Sequence, residues 1–146
     1  MNAKKIFVWV LMLLLPSAPS FGREFVITRK ELPQAAQIFI STKFKDKKVM
    51  LVKKEMKMRI VNYDVMLNDG TKLEFDGKGE WTEIDCKPSA VPATLVPTAI
   101  VNYVKKNYPN VKIIQIERDR WGYEIDLSNG FDIRFNKQFK VVEIDD

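Results

Sequence analysis

The sequence predicts an α+β fold: two tandem repeats, each of one helix plus a four-stranded antiparallel meander, with both helices on one face of the sheet. Three observations predict it. The stretch from Tyr63 to Asp85 reads as short strands joined by tight turns, and its apolar positions return from Tyr123 to Asp145, 60 residues later. A proline-opened helical stripe precedes each stretch, at Leu32-Pro33 and again at Val96-Pro97, 64 residues on. A proline-containing connector, Lys87-Pro88-Ser89-Ala90-Val91-Pro92, lies between them. One helix covers only one face of such a sheet, so the other face is left open.

Taken in order, Phe25-Val26-Ile27-Thr28 is a short extended lead-in. Leu32, Ala35, Ala36, Phe39, Ile40 and Phe44 recur at helical intervals and fall on one stripe. Pro33 suits the first turn, where its missing N–H would have had no partner. Val49–Val52 is the first strand and Ile60–Leu67 the second, with Val61, Tyr63, Val65 and Leu67 on one face. Asn68-Asp69-Gly70 turns the chain into Leu73–Phe75, and Asp76-Gly77-Lys78-Gly79 turns it again into Glu80–Asp85. Past the connector, Val96, Ala99, Ile100, Tyr103 and Val104 form the second helical stripe, which Tyr108-Pro109 closes. Val111–Ile116, Trp121–Leu127, Phe131–Phe135 and Phe139–Ile144 complete the second meander. The boundaries are residues 1–22 for a leader, 23–86 and 95–146 for the repeats, and 87–94 for the connector.

The leader is read from Lys4 and Lys5, an apolar run from Ile6 to Leu15, and small residues through Gly22. These are the three regions of a secretory signal peptide, and the run is far shorter than the roughly 20 residues that span a bilayer. Cleavage is placed after Gly22, with Ser20 as the alternative. The chain is therefore expected to be exported, periplasmic or secreted, with no stable membrane anchor. Without residues 1–22 there remain 22 basic and 19 acidic side chains, a net charge of +3. The lysines between Lys43 and Lys57, with Arg59, read as a solvated helix end and strand face, and no nucleic-acid partner is expected. Cys86 is the single cysteine, so no internal disulfide is available. A buried, inert thiol is the expectation, with an intermolecular bridge as the alternative.

The Leu32-Pro33 and Val96-Pro97 openings, the Asn107-Tyr108-Pro109 exit, the strand-turn segments Tyr63–Gly70 and Tyr123–Gly130, and Leu73-Glu74-Phe75-Asp76 through Gly79-Glu80-Trp81 resemble the PepSY-like proteins of bacterial cell envelopes, a family also described as beta-lactamase-inhibitor-like. The resemblance implies the tandem helix-plus-four-strand fold, export to the periplasm or beyond, and no settled biochemical role; regulation or inhibition of a secreted enzyme is suggested by analogy with peptidase propeptides and the inhibitor fold. It supplies no catalytic residue. Lys137-Gln138-Phe139 departs from the pattern set by Gly77-Lys78-Gly79.

The chain contains no histidine, which removes His-based acid/base catalysis, the Ser-His-Asp and Cys-His arrangements and His-ligated zinc. Its hairpin glycines do not open helices, so no phosphate loop is present. Asp76-Gly77-Lys78-Gly79-Glu80 lacks the spaced oxygens of a calcium loop and reads as a turn. No enzyme activity, cofactor or metal is expected. Strand alternation points Val65, Leu67, Leu73, Phe75, Thr82 and Ile84 toward the helices. The candidate protein-binding face is then Asp64, Met66, Lys72, Glu74, Trp81, Glu83, Glu124, Asp126 and Arg134, with Asp85, Asp132, Val141 and Glu143 beside it. Trp81 is either the aromatic centre of that face or packing at the seam between repeats. Tyr63, Tyr123 and Trp121 are assigned to the inward register. The expected function is a non-catalytic protein presenting this face to a protein partner. A self-associating envelope module and a sensor of a small ligand or peptide are the alternatives, and oligomeric state is left open.

Overall fold

A computed structural model describes residues 22–146. The expected signal peptide lies outside the described residues, apart from Gly22. The elements run β1 (Arg23–Ile27), α1 (Gln34–Lys43), β2 (Val49–Lys57), β3 (Ile60–Leu67), β4 (Lys72–Asp76), β5 (Trp81–Asp85), α2 (Thr98–Asn107), β6 (Ile113–Asp119), β7 (Gly122–Leu127), β8 (Asp132–Asn136) and β9 (Val141–Asp145). Short 3-10 turns at Arg29–Glu31 and Ala93–Leu95 lead toward the two helices.

All nine strands form a single antiparallel sheet in the order β1 to β9. This corrects the expected pair of helix-plus-four-strand repeats. The reason is backbone pairing across the supposed boundary. Glu83, Ile84 and Asp85 of β5 pair with Glu117, Ile116 and Gln115 of β6. The Cys86 and Val91 N–H groups donate to the carbonyls of Ile114 and Ile113, at 3.0 and 2.8 Å. A strand whose polar backbone is satisfied on both sides is interior to a sheet and ends no unit. The lead-in also becomes a full strand, because β2 runs on to Lys57 and offers β1 five residues to pair with.

Both helices lie on one side. Pro33 and Pro97 sit immediately before α1 and α2 with φ of −52°, the value their rings impose. Ala36 and Ile40 of α1, and Ile100 and Val104 of α2, are buried with Val65, Leu73, Phe75, Ile84, Ile116, Ile125, Ile133 and Phe135 in one core. Phe39 of α1 packs edge-on against Phe75 with centroids 5.7 Å apart, and Tyr103 of α2 packs edge-on against Phe135 at 5.3 Å. The α1 side approaches the β4–β5 turn so closely that a Cβ at Gly79 would lie 2.8 Å from Pro33 Cβ and 2.9 Å from the Ala36 nitrogen. Cys86 is a buried free thiol.

Register shifts interrupt four of the strand pairings, and two of them overturn the expected facing of side chains. The β4–β5 register shifts between Glu74 and Phe75, so Phe75 stands opposite Trp81 while Glu74 stands opposite Glu83. The β8–β9 register shifts in the same way between Arg134 and Phe135, placing Phe135 opposite Val141. An extra residue reverses the alternation beyond it. Trp81 and Val141 therefore pack against the core on the helix side, which corrects their expected outward placement. Thr82, expected inward, instead donates its hydroxyl to Glu74 Oε1 at 2.7 Å. Trp121 is 65 % exposed at the β6–β7 turn and is no core residue.

Candidate functional site

The helix-free face carries an ordered row of charge. Reading sideways through the strand pairings, Lys53 stands opposite Asp64, Asp64 opposite Glu74, Glu74 opposite Glu83, Glu83 opposite Glu117, Glu117 opposite Glu124, and Glu124 opposite Arg134. Five carboxylates thus occupy one lateral line across β3 to β7, bounded by a cation at each end. At about 4.8 Å per strand the acidic segment is roughly 19 Å long. A second row beside it runs Met66, Lys72, Asp85, Gln115, Asp126, Asp132 and Asp145.

Like charges directly opposite one another oppose sheet formation. At about 5 Å each neighbouring pair costs on the order of 1–3 kcal/mol between water-like and protein-surface dielectrics. Strand pairing requires no carboxylate at any of these positions, and the row works against the stability of the sheet. Part of the repulsion is offset locally. Gln115, itself buried, donates its amide to Glu83 Oε1 at 2.7 Å and to Glu117 Oε1 at 2.9 Å. Arg134 donates to Glu124 at 2.9 Å and to Asp119 at 2.8 Å, and Lys53 pairs with Glu24. Lys87 bonds Asp126 at 2.6 Å in the second row.

At three of the five carboxyls, burial and the neighbouring charges favour the protonated form. Burial, followed by the charges of Glu117, Glu74 and Asp85, pushes the Glu83 carboxyl up from its ordinary 4.5 to about 7. Burial and Glu124 raise Glu117, with Gln115 acting against them. Burial and Glu74 raise Asp64, opposed by Lys53. Asp119 moves the other way: burial would raise it, and hydrogen bonds from the Trp121 N–H and the Arg134 guanidinium hold it below the usual carboxylate range.

An open depression of about 360 Å³ follows the middle of the row, lined by Glu74, Glu83, Glu117, Glu124, Arg134 and Gly122 among others. At Gly122 no side chain fits against β8: a Cβ would lie 2.0 Å from the Phe135 carbonyl oxygen. Among the described residues no group of three or more Cys, Asp or Glu side chains is arranged to hold a metal ion.

Of the candidate residues, Asp64, Glu74, Glu83, Glu124 and Arg134 stand in the carboxylate row, and Met66, Lys72 and Asp126 in the row beside it. Trp81 stands apart on the other side, with the Arg118 guanidinium 4.0 Å over its ring. Sequence reasoning missed Lys53, Gln115, Glu117, Asp119 and Gly122. The alternation of Gln115 and Glu117 with buried Ile116 was the available signal for β6, obscured by ending that strand at Ile116.

Residues 61–143 match the family model described as beta-lactamase-inhibitor-like, PepSY-like. The chain belongs to the PepSY-like family. Three solved structures resemble this PepSY-like protein over nearly all of their own length. One is a candidate periplasmic protein of the DUF2874 family from Bacteroides vulgatus ATCC 8482, 50% identical, covering 84% of this chain and 97% of its own with a TM-score of 0.82. Another is a candidate calcium-regulated periplasmic protein from Bacteroides thetaiotaomicron, 42% identical, covering 84% and 97% with a TM-score of 0.82. A third, also from Bacteroides vulgatus ATCC 8482, is a candidate periplasmic protein of unknown function, 41% identical, covering 85% and 100% with a TM-score of 0.82. No curated protein matches the sequence. Among the described residues of the PepSY-like chain, no helix is long and apolar enough to cross a membrane.

Proposed function

We propose that this PepSY-like protein is a non-catalytic, exported binding protein that docks a protein partner on its helix-free face, and that the partner's contacting surface is basic. The single observation that carries the reading is the lateral row Asp64, Glu74, Glu83, Glu117 and Glu124. A one-sign row of fixed length selects partners by charge and suppresses those whose surface is acidic. The inhibitor-like description of the family makes a secreted enzyme the first partner to test, and the periplasmic description of the solved relatives supports the compartment.

The test compares capture from an envelope extract, then affinity for the isolated partner, by the wild-type chain and a Glu83→Lys/Glu117→Lys variant. Affinity is expected to fall at least tenfold, about 1.4 kcal/mol, and wild-type affinity to weaken as salt rises. Trp81→Ala, altered on the opposite side, is expected to leave affinity unchanged. Equal loss in the Trp81 variant with none in the lysine variant would move the interface to the helix side.

One relative is described as calcium-regulated, and the row of this chain is not arranged as a metal-holding group. Calcium is read as a modulator of docking, because a divalent cation near the carboxylate row would screen it from a basic partner. Added calcium chloride should weaken partner binding more than sodium chloride of equal ionic strength does.

A further inference from the structure

We propose that the end of the sheet formed by the β6–β7 and β8–β9 turns is a peripheral contact surface for a bilayer containing anionic phospholipid. Arg120 and Trp121 form the first turn and Lys137, Gln138, Phe139 and Lys140 the second. Both turns lie at the same end because β6 and β8 run parallel within the alternating sheet. Their tips are about 10 Å apart, two strand spacings, and the sheet twist turns one from the other by roughly 40–50°.

A comparison within the molecule shows that the fold does not require these residues. The β4–β5 and β8–β9 turns are built from the same hydrogen bonds. Asp76 accepts from Gly79 N at 2.9 Å and Asn136 from Phe139 N at 3.0 Å, while the side-chain oxygens of Asp76 and Asn136 each accept two further N–H groups. Where the first turn reads Asp76-Gly77-Lys78-Gly79-Glu80, the second reads Asn136-Lys137-Gln138-Phe139-Lys140, exchanging a net negative charge for two positive ones. Where the first has Gly79 at φ +85°, the second holds Phe139 at φ +60°. A bulky side chain is strained in that region, and Phe139 is 37 % exposed there, resting on the ring of Tyr123.

Trp121 is 65 % exposed, with the Arg120 guanidinium 4.8 Å over its ring. The turn residues contain three cations and no acid. The adjoining Asp119 has one oxygen on the Trp121 and Gly122 N–H groups and the other on Arg134. Aromatic rings that reach headgroup depth, ringed by Lys and Arg able to extend back to lipid phosphate, are the chemistry of interfacial binding. The β4–β5 turn at the same end carries Asp76 and Glu80, so the cationic surface is confined to the β6–β9 part of that end. This surface lies just beyond the carboxylate row, since Asp119 and Gly122 flank the first turn and also line the acidic depression; its test is separate from the partner-docking proposal because the turn variants leave all five carboxylates of the row in place.

The test uses the chain from Arg23 onward, which contains every element of the described fold, and sedimenting vesicles of phosphatidylcholine with or without about one third phosphatidylglycerol. Binding is expected to the anionic vesicles and to decline at high salt. Lys137→Glu/Lys140→Glu should lower the partition coefficient at least about tenfold, since each cation near such a surface is worth roughly fivefold. Trp121→Ser should also lower it. In a Trp81→Phe background, which leaves Trp121 as the sole tryptophan of that chain, the emission should shift to the blue on binding. Unchanged denaturation midpoints establish that the variants fold. No partition into anionic vesicles, or partition indifferent to both turn variants, overturns the proposal. So does crosslinking of these turns to a protein in the absence of vesicle binding.

Discussion

Gly122→Ala is expected to destabilise the fold by at least about 3 kcal/mol, a large value for a single added methyl. Gly122 opens β7 at φ +148°, opposite Asn136 of β8. Its Cβ would lie 2.0 Å from the Phe135 carbonyl oxygen and within 2.9 Å of the Asn136 backbone. Those atoms are held in the β7–β8 ladder and cannot step aside as a flexible side chain would, so the pairing itself must open. Gly130→Ala supplies the comparison. Gly130 also has positive φ, +95°, but a Cβ there meets nothing within 4 Å, so only the conformational cost of about 1 kcal/mol applies. Urea midpoints of the two variants at unchanged m-value measure the difference. Equal losses would show that the β7 backbone does not approach β8 as closely as described. The substitution also bears on the site, because Gly122 lines the acidic depression and opening the β7–β8 pairing would disturb its wall.

Glu83→Gln is expected to stabilise the protein above neutral pH by about 1–2 kcal/mol and to do little near pH 4.5. The carboxyl is raised from 4.5 to about 7 by burial and by Glu117 and Glu74. Across that window the folded chain keeps a proton that the unfolded chain releases. Stability therefore falls as pH rises from about 4.5 to 7, and the full penalty is present above 7. The magnitude is set well below what the whole shift would correspond to, since the carboxyl is only half-buried and solvent screens it. Glutamine keeps an acceptor for the Gln115 amide and removes the charge. The measurement is the denaturation midpoint of wild type and variant at both pH values, read as a difference so that Asp119 and the other lowered carboxylates cancel. Glu117→Gln should act in the same direction. A variant that gains equally at both pH values, or loses at the higher one, would show that the row is not strained by its own charge.

Much of the fold was legible because its signals are local. Pro33 and Pro97 announced two helices, and Ala36, Ile40, Ile100 and Val104 of their stripes are buried as the spacing required. Alternation correctly separated Asp64 and Glu74 from Val65, Leu73 and Phe75. It failed at Trp81, Thr82 and Val141, where a bulge inserts one residue and reverses the faces beyond it. No propensity marks such a position in the sequence. The separation into two repeats failed for a different reason: the internal similarity is present, but β5 and β6 are joined through backbone groups that every residue carries.

By itself the sequence determined the two helices and the place of eight of the nine strands, the lack of histidine, and the carboxylates available to one side of the sheet, since periods of two and 3.6 are properties of neighbouring residues. Only the tertiary structure decided that five of those carboxylates stand in a single file from Asp64 to Glu124. Lateral neighbours in a sheet are set by the hydrogen-bond register between segments far apart in the chain, and the Glu83–Glu117 step joins residues separated by a connector and a helix.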